Sequence, residues 1–281
     1  MVCDLCRVSR HYPSDHAPPG QLPHHEPPCY GPTVTKWERR IMALLHSYFD
    51  ASFTEPKGVT AIGGYLGTEG QWTRVKNEWV ENLALWKLKK FHLTELLAGR
   101  LNVPDPELCA LTFALIMHKS GLHGLHAALR DEDFTARDYD SALFPGAYHV
   151  CLDMLLGNVA EHMRLEFPDD LVAIVMDSDT PQKAAAEAVF ERRKELSGNQ
   201  FASFAISSQA RFRVLECADL LAGEHRKAWL KSKSWHRPET GRIYDIAQGV
   251  RSRGSYWSAE TEREIEKVLA KLRGGQAPSD G

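Results

Sequence analysis

Apolar positions change their period several times along the chain, and each change marks an element. Ala43 to Asp50 reads as a buried strand, and Val59 to Leu66 reads as its antiparallel partner after a Pro-Lys-Gly turn. From Glu69 onward Trp72, Val75, Trp79, Leu83 and Trp86 recur at three- and four-residue spacing, one apolar helix face and therefore core. Phe91 to Leu96 predicts a short extended or turn segment, Leu108 to Met117 a helix, and Leu122 to Leu129 fits either strand or helix. Tyr148 to Leu165 has the length and period of a helix that closes on the Phe167-Pro168 break. Leu171 to Met176 is an unbroken apolar run ending in Asp177, the pattern of a central strand buried on both faces. Ala184 to Leu196 predicts a helix, Phe201 to Ser207 a strand, and Leu215 to Lys231 a last helix. Strands that interleave with helices in this way predict an α/β chain with a mixed sheet flanked by helices. No internal repeat of the solenoid kind is present.

Composition bounds this picture without changing it. Of 281 residues, 43% are hydrophobic and 25% charged, which excludes the disordered and fibrous classes. The longest apolar runs fall far short of the roughly 20 residues that a spanning helix needs, so no membrane partner is expected. Residues 1–35 are rich in Pro, His and Cys, lack apolar periodicity, and predict a disordered leader. The start carries His, Pro and charge where a secretory signal would place an apolar core, so the expected location is cytoplasmic. The six cysteines then read as reduced thiols. Net charge is -3, but the stretch from Arg211 to Arg273 holds more Lys and Arg than Asp and Glu. A basic face there can approach phosphates, or it is a solvated helix face followed by a polar tail.

Three acids stand out. Asp50 and Asp177 each end an apolar strand, and sites in α/β sheets form at the carboxyl ends of strands. Asp219 sits in Glu216-Cys-Ala-Asp-Leu-Leu-Ala222, a helix whose other residues are mostly small or apolar. A carboxylate in such surroundings needs a partner, because burying an unpaired charge is costly. A divalent cation is one such partner, and Arg211 or Arg213 is another. The expectation that follows is that the Asp50 and Asp177 strands are neighbours in one sheet, with their carboxyls on one face.

The order of these features resembles the bacterial family called "domain of unknown function 3800". The likeness rests on Phe49-Asp50-Ala51-Ser52, Gly63-Gly64-Tyr65, the Trp-bearing helix, Phe91-His92, the strand ending in Asp177, and the Ala218-Asp219-Leu220-Leu221-Ala222 helix. It covers residues 43 to 232. The Lys and Arg content toward the C-terminus predicts a basic extension over 236–281 that holds a helix and a disordered tail. The resemblance implies a ribonuclease H-like α/β domain, here over residues 36–235. It also implies a carboxylate metal site. That site would hydrolyse nucleic-acid phosphodiesters with two divalent ions roughly 4 Å apart. Mg²⁺ or Mn²⁺ suits all-oxygen ligands. Asp50 would bridge the ions, Asp177 and Asp219 would complete one each, and His92 or Glu95 would place water or phosphate. Two positions depart from the family: Ala51 stands where members carry Glu, and Glu216 where they carry Gln. Glu216, three residues before Asp219, lies on the same helix face and can compensate. Nucleic acid is the expected partner, and a homo-oligomer is left open. The alternative reading is a catalytically silent scaffold that binds nucleic acid or a protein through the same fold.

Rival constellations are weaker. Asp177-Ser178-Asp179-Thr180 resembles the nucleophile loop of haloacid-dehalogenase-like phosphatases, but Pro181 stands where that loop needs Thr. Cys3 and Cys6 with the nearby His and Cys29 form a single zinc knuckle without a second close pair. His118, His123 and His126 match no standard motif and read as a solvent-facing helix end and turn.

Overall fold

A computed structural model of the chain describes residues 42–53, 58–178, 181–198, 200–209 and 211–231, together with Ile243, Ala247, Lys267 and Ala270. The expected leader and most of the expected C-terminal extension lie outside the described residues. So do the Cys3 and Cys6 knuckle and Asp179 of the phosphatase-like loop.

Leu44–Ser52 (β1) and Val59–Gly67 (β2) form the antiparallel hairpin that the sequence predicts, with Asp50 opposite Gly63. His123–Arg130 (β3) adds antiparallel to β2, which resolves the ambiguous Leu122 to Leu129 stretch as strand. Leu171–Asp177 (β4) pairs in parallel with β1, and Phe201–Ser207 (β5) in parallel with β4. The sheet order is β3-β2-β1-β4-β5. This is an α/β fold with a mixed sheet flanked by helices, and it is compatible with a ribonuclease H-like arrangement.

The helices are Glu69–Leu85 (α1), Leu93–Leu97 (α2), Pro106–Lys119 (α3), Asp131–Thr135 (α4), Ala147–Glu166 (α5), Lys183–Leu196 (α6) and Leu215–Lys231 (α7). Local chemistry sets several of their ends. Thr68 and Gln71 close a capping box at the start of α1. Asp105 caps α3, and Pro106 at the first turn gives up no hydrogen bond there. Phe91 to Leu96, expected as an extended or turn segment, takes the turn: His92 accepts from the Glu95 amide through Nδ1 and winds the following residues into the single turn of α2.

Strand alternation sends successive side chains to opposite faces. On one face Leu45, Phe49, Ile62, Leu66, Val172, Ile174 and Met176 pack with α5 and α6 into an apolar core. On the other, Tyr65 and half-buried Tyr48 meet a second core built from α1, α2, α3 and α7. Ile243 and Ala247 join that second core, where the Tyr65 hydroxyl donates to the Ala247 carbonyl at 2.5 Å. Cys109, Cys151 and Cys217 are free and buried. Among the described residues no helix is long and apolar enough to cross a membrane.

Candidate active site

The acids belong to a row that runs across the sheet. Asp50 is opposite Gly63, and Gly63 is opposite His126 on β3. On the other side Phe49 is opposite Met176, so one further step along the same parallel register sets Asp50 beside Asp177. Asp177 in turn is opposite Ser207. Phe49 and Met176 both enter the apolar core, so the next residues, Asp50 and Asp177, face the other way, toward α7. The two aspartate-ending strands are therefore the neighbours that the sequence led us to expect.

Helix α7 lies over this row, and Gly63 is what lets it come so close. A Cβ at Gly63 would stand 2.9 Å from the Ala222 nitrogen and 3.0 Å from its Cα, inside any real contact distance. Beyond Gly63 the His225 and His126 rings pack at a centroid separation of 3.9 Å. In the opposite direction along the helix, the charge of Asp177 acts on Asp219. One stripe of α7, Asp219, Ala222 and His225, thus tracks the row of the sheet below it.

Each acid is buried to within 7–8% of its accessible surface. Asp50 Oδ1 accepts from the Ala51 amide at 2.7 Å, and Asp177 Oδ1 accepts from both the amide and the hydroxyl of Ser178. Asp219 Oδ2 accepts from the Leu93 amide at 2.8 Å. Burial pushes the Asp219 carboxyl above its ordinary range, and the neighbouring Asp177 adds to the shift. His92, the Leu93 amide and Lys227 pull the other way. Crowded, partly repelling carboxylates of this kind favour whatever positive charge can reach them.

Glu216 is placed differently from the expectation that it would supplement Asp219. Its Oε2 accepts from the Trp79 indole at 3.0 Å and from the Phe91 amide at 3.1 Å, and its Oε1 meets Arg213 at 3.3 Å. An i, i+3 spacing sets two side chains on one helix face, but these two reach to different partners. Glu216 ties α7 to α1 and pairs with the Arg213 guanidinium, 44% exposed on its own side, while Asp219 and the half-buried Arg226, both on α7, act on each other through their charges. Burial raises the Glu216 carboxyl, and Trp79, Phe91 and Arg213 oppose that shift.

His92 stands between two amides that α7 holds, Phe91 by Glu216 and Leu93 by Asp219. Its Nδ1 is committed to the Glu95 amide at 3.3 Å, and its charge registers at Asp219. The histidine that sequence reasoning named is thus fixed at the edge of the acid row. Glu95 forms a partly exposed ion pair with Lys90 at 3.5 Å.

His126 and His225 were outside the expected site. The sequence predicts a solvent-facing helix end and turn around His126, whereas it lies on β3 and burial pulls its pKa down to about 4. Burial likewise depresses His225, with His126 contributing. The signal for His126 was the Leu125, Ala127, Leu129 alternation, which commits the even positions of β3 to the α7 face.

Three carboxylates without a soft donor are the ligand type that hard cations prefer. Among the described residues no group of three or more His, Cys, Asp or Glu is arranged to hold a metal ion. Mg²⁺ is ordinarily held by one or two carboxylates, with waters and substrate phosphates completing its shell. No family model and no curated protein matches this chain, so the row and the stripe above it are themselves the ground for a functional reading.

Proposed function

We propose that the chain is a metal-dependent phosphodiester hydrolase acting on nucleic acid. The observation that carries this reading is the convergence of Asp50, Asp177 and Asp219 on one face, from two adjacent strand ends and the helix across from them. Mg²⁺ or Mn²⁺ would draw one or two of its ligands from Asp50, Asp177 and Asp219, with waters and substrate phosphates completing the shell. When bound, such an ion supplies the charge that activates an attacking water and stabilises a leaving oxygen.

The chain's own residues do the rest. Asp50 and Asp177 present their acids from a rigid sheet edge, where main-chain pairing fixes their separation. Asp219 holds the Leu93 amide and so keeps His92 beside the acid row. With Nδ1 turned to the Glu95 amide, Nε2 is the ring nitrogen that can meet a phosphate oxygen. Glu216 is a positioning residue that clamps Phe91 and Trp79.

A second reading has its own support. Ala51 replaces a family acid, and among the described residues the acids do not form a ready metal cage. This reading is a silent scaffold that binds nucleic acid or a protein partner without cutting. A cleavage assay on single- and double-stranded DNA and RNA with Mn²⁺ or Mg²⁺ separates the two. Cleavage by the wild-type chain that falls at least about 100-fold in Asp177→Asn and Asp219→Asn supports the hydrolase. Binding without cleavage in every metal leaves the scaffold.

A further inference from the structure

Two residues down β1 from Asp50, on the same face, lies a pocket of about 330 Å³ with a different chemistry. Tyr48 and His46 form its floor, α1 gives it Trp72 and Lys76, and the turn before α7 gives it Arg211, Phe212 and Arg213. Tyr48 meets Trp72 edge to face at 4.7 Å and Phe212 at 6.0 Å. The Trp72 indole donates to the His46 carbonyl at 2.8 Å, which fixes its ring. The Arg211 guanidinium sits 5.7 Å from the Phe212 ring centroid. Lys76, Arg211 and Arg213 stand against two carboxylates, Glu69 on the rim and Glu216, which Arg213 meets at 3.3 Å, so the rim is still net positive.

We infer that this pocket binds one nucleotide of a nucleic-acid strand, its base against Phe212 and Tyr48 and its phosphate against Arg211, Arg213 and Lys76. Aromatic faces with arginine are the means by which proteins hold single strands without reading sequence. The volume falls within the range of small-molecule sites. Tyr48 and Asp50 are separated by about 7 Å at the rise of an antiparallel strand. A strand seated in the pocket is therefore led directly to the acid row. The inference takes its substrate class from the hydrolase reading, but it concerns binding and can fail or hold separately from cleavage.

The test is fluorescence anisotropy with the full chain, a fluorescein-labelled single-stranded oligothymidylate as probe, and a chelator present so that no strand is cut. Arg211 is exposed, so Arg211→Gln leaves the cores in place, while Phe212 is half-buried against the second core, so Phe212→Ala is paired with a thermal melt that shows the chain still folded at the assay temperature. Each is expected to weaken binding about tenfold, the loss of one stacking or phosphate contact. Arg211→Gln should also reduce the slope of log affinity against log salt by about one. Competition by free thymidine monophosphate at similar affinity would assign the pocket to a mononucleotide, whereas competition only by longer strands would assign it to a strand passing on to Asp50. Both outcomes support a nucleotide site. Wild-type binding that neither variant weakens overturns it, even if Asp219→Asn abolishes cleavage. A pocket-dependent affinity with no cleavage in any metal keeps the pocket and removes the hydrolase.

Discussion

On one face of the sheet Leu45, Phe49, Ile62, Leu66, Ile174 and Met176 meet α5 and α6, and every one of these side chains is at most 1% exposed. On the opposite face the same strands, with β3 beside them, present His46, Tyr48, Asp50, Gly63, His126 and Asp177 to α1 and α7. One strand thus serves two purposes by alternation. Its odd or even positions are bound by packing, which leaves the others to carry polar groups held rigid by the same main chain. The apolar face can then be altered at a cost in stability alone, and the polar face at a cost in chemistry.

The widest separation of the two faces comes from Leu155→Ala on α5, fully buried against the apolar core. It is expected to lose about 2–5 kcal/mol in denaturant melts. Cleavage measured well below the melting temperature should be unchanged, and its loss would mean that the faces are coupled. Next in size is Gly63→Ala, whose added Cβ meets the α7 backbone at 2.9 Å. Lifting α7 should cost about 1–3 kcal/mol and also weaken activity, because Asp219 moves with the helix. Glu216→Gln keeps an acceptor for Trp79 and Phe91 but turns an amide toward Arg213, and should cost about 1 kcal/mol in a thermal or urea melt.

The smallest effect is the one with reversed sign. The Asp219 carboxyl is raised in the folded protein, chiefly by burial, so its charged form costs stability above its folded pKa. Proton uptake as pH falls through that pKa removes the penalty. Asp219→Asn, which retains an acceptor for the Leu93 amide, should therefore melt higher than wild type at neutral pH. The gain should shrink as the pH is lowered toward the unfolded carboxylate range. A variant that melts lower at neutral pH would make Asp219 a structural acid and leave the acid row without its third member.

Much of this was legible before any coordinates. The hairpin, the central strand, the long helices and the three aspartates all announced themselves, because apolar runs of fixed period end abruptly in an acid or a break. β3 was ambiguous because His-Gly-Leu-His-Ala-Ala-Leu-Arg mixes polar and apolar residues evenly. The stretch of α2 was ambiguous between extended segment and turn because a single turn leaves no periodicity, and its start depends on a His92 cap seen only in three dimensions. Glu216 and Asp219 looked equivalent on a helical projection, yet Trp79 and Phe91 draw the first away from the row. The meeting of His126 with His225 depends on strand register, which the chain does not state locally.

The stripe of α7 over the sheet has a metrical consequence. Three residues of α-helix advance about 4.5 Å along the axis. Neighbouring strands are spaced about 4.8 Å apart. A helix laid across strands therefore advances nearly one strand for every three residues, like a vernier whose divisions almost coincide. Ala222 falls on Gly63 of β2 and His225 on His126 of β3, while Asp219, three residues earlier, falls by the acids of β1 and β4. Helix and sheet are commensurate over this span, so the match at any one strand fixes the match at the others. Adding or deleting one residue between Asp219 and His225 would turn the residues on one side of it by about 100° relative to those on the other, so that Asp219 and His225 could no longer meet the sheet together, whereas a substitution leaves that phase intact.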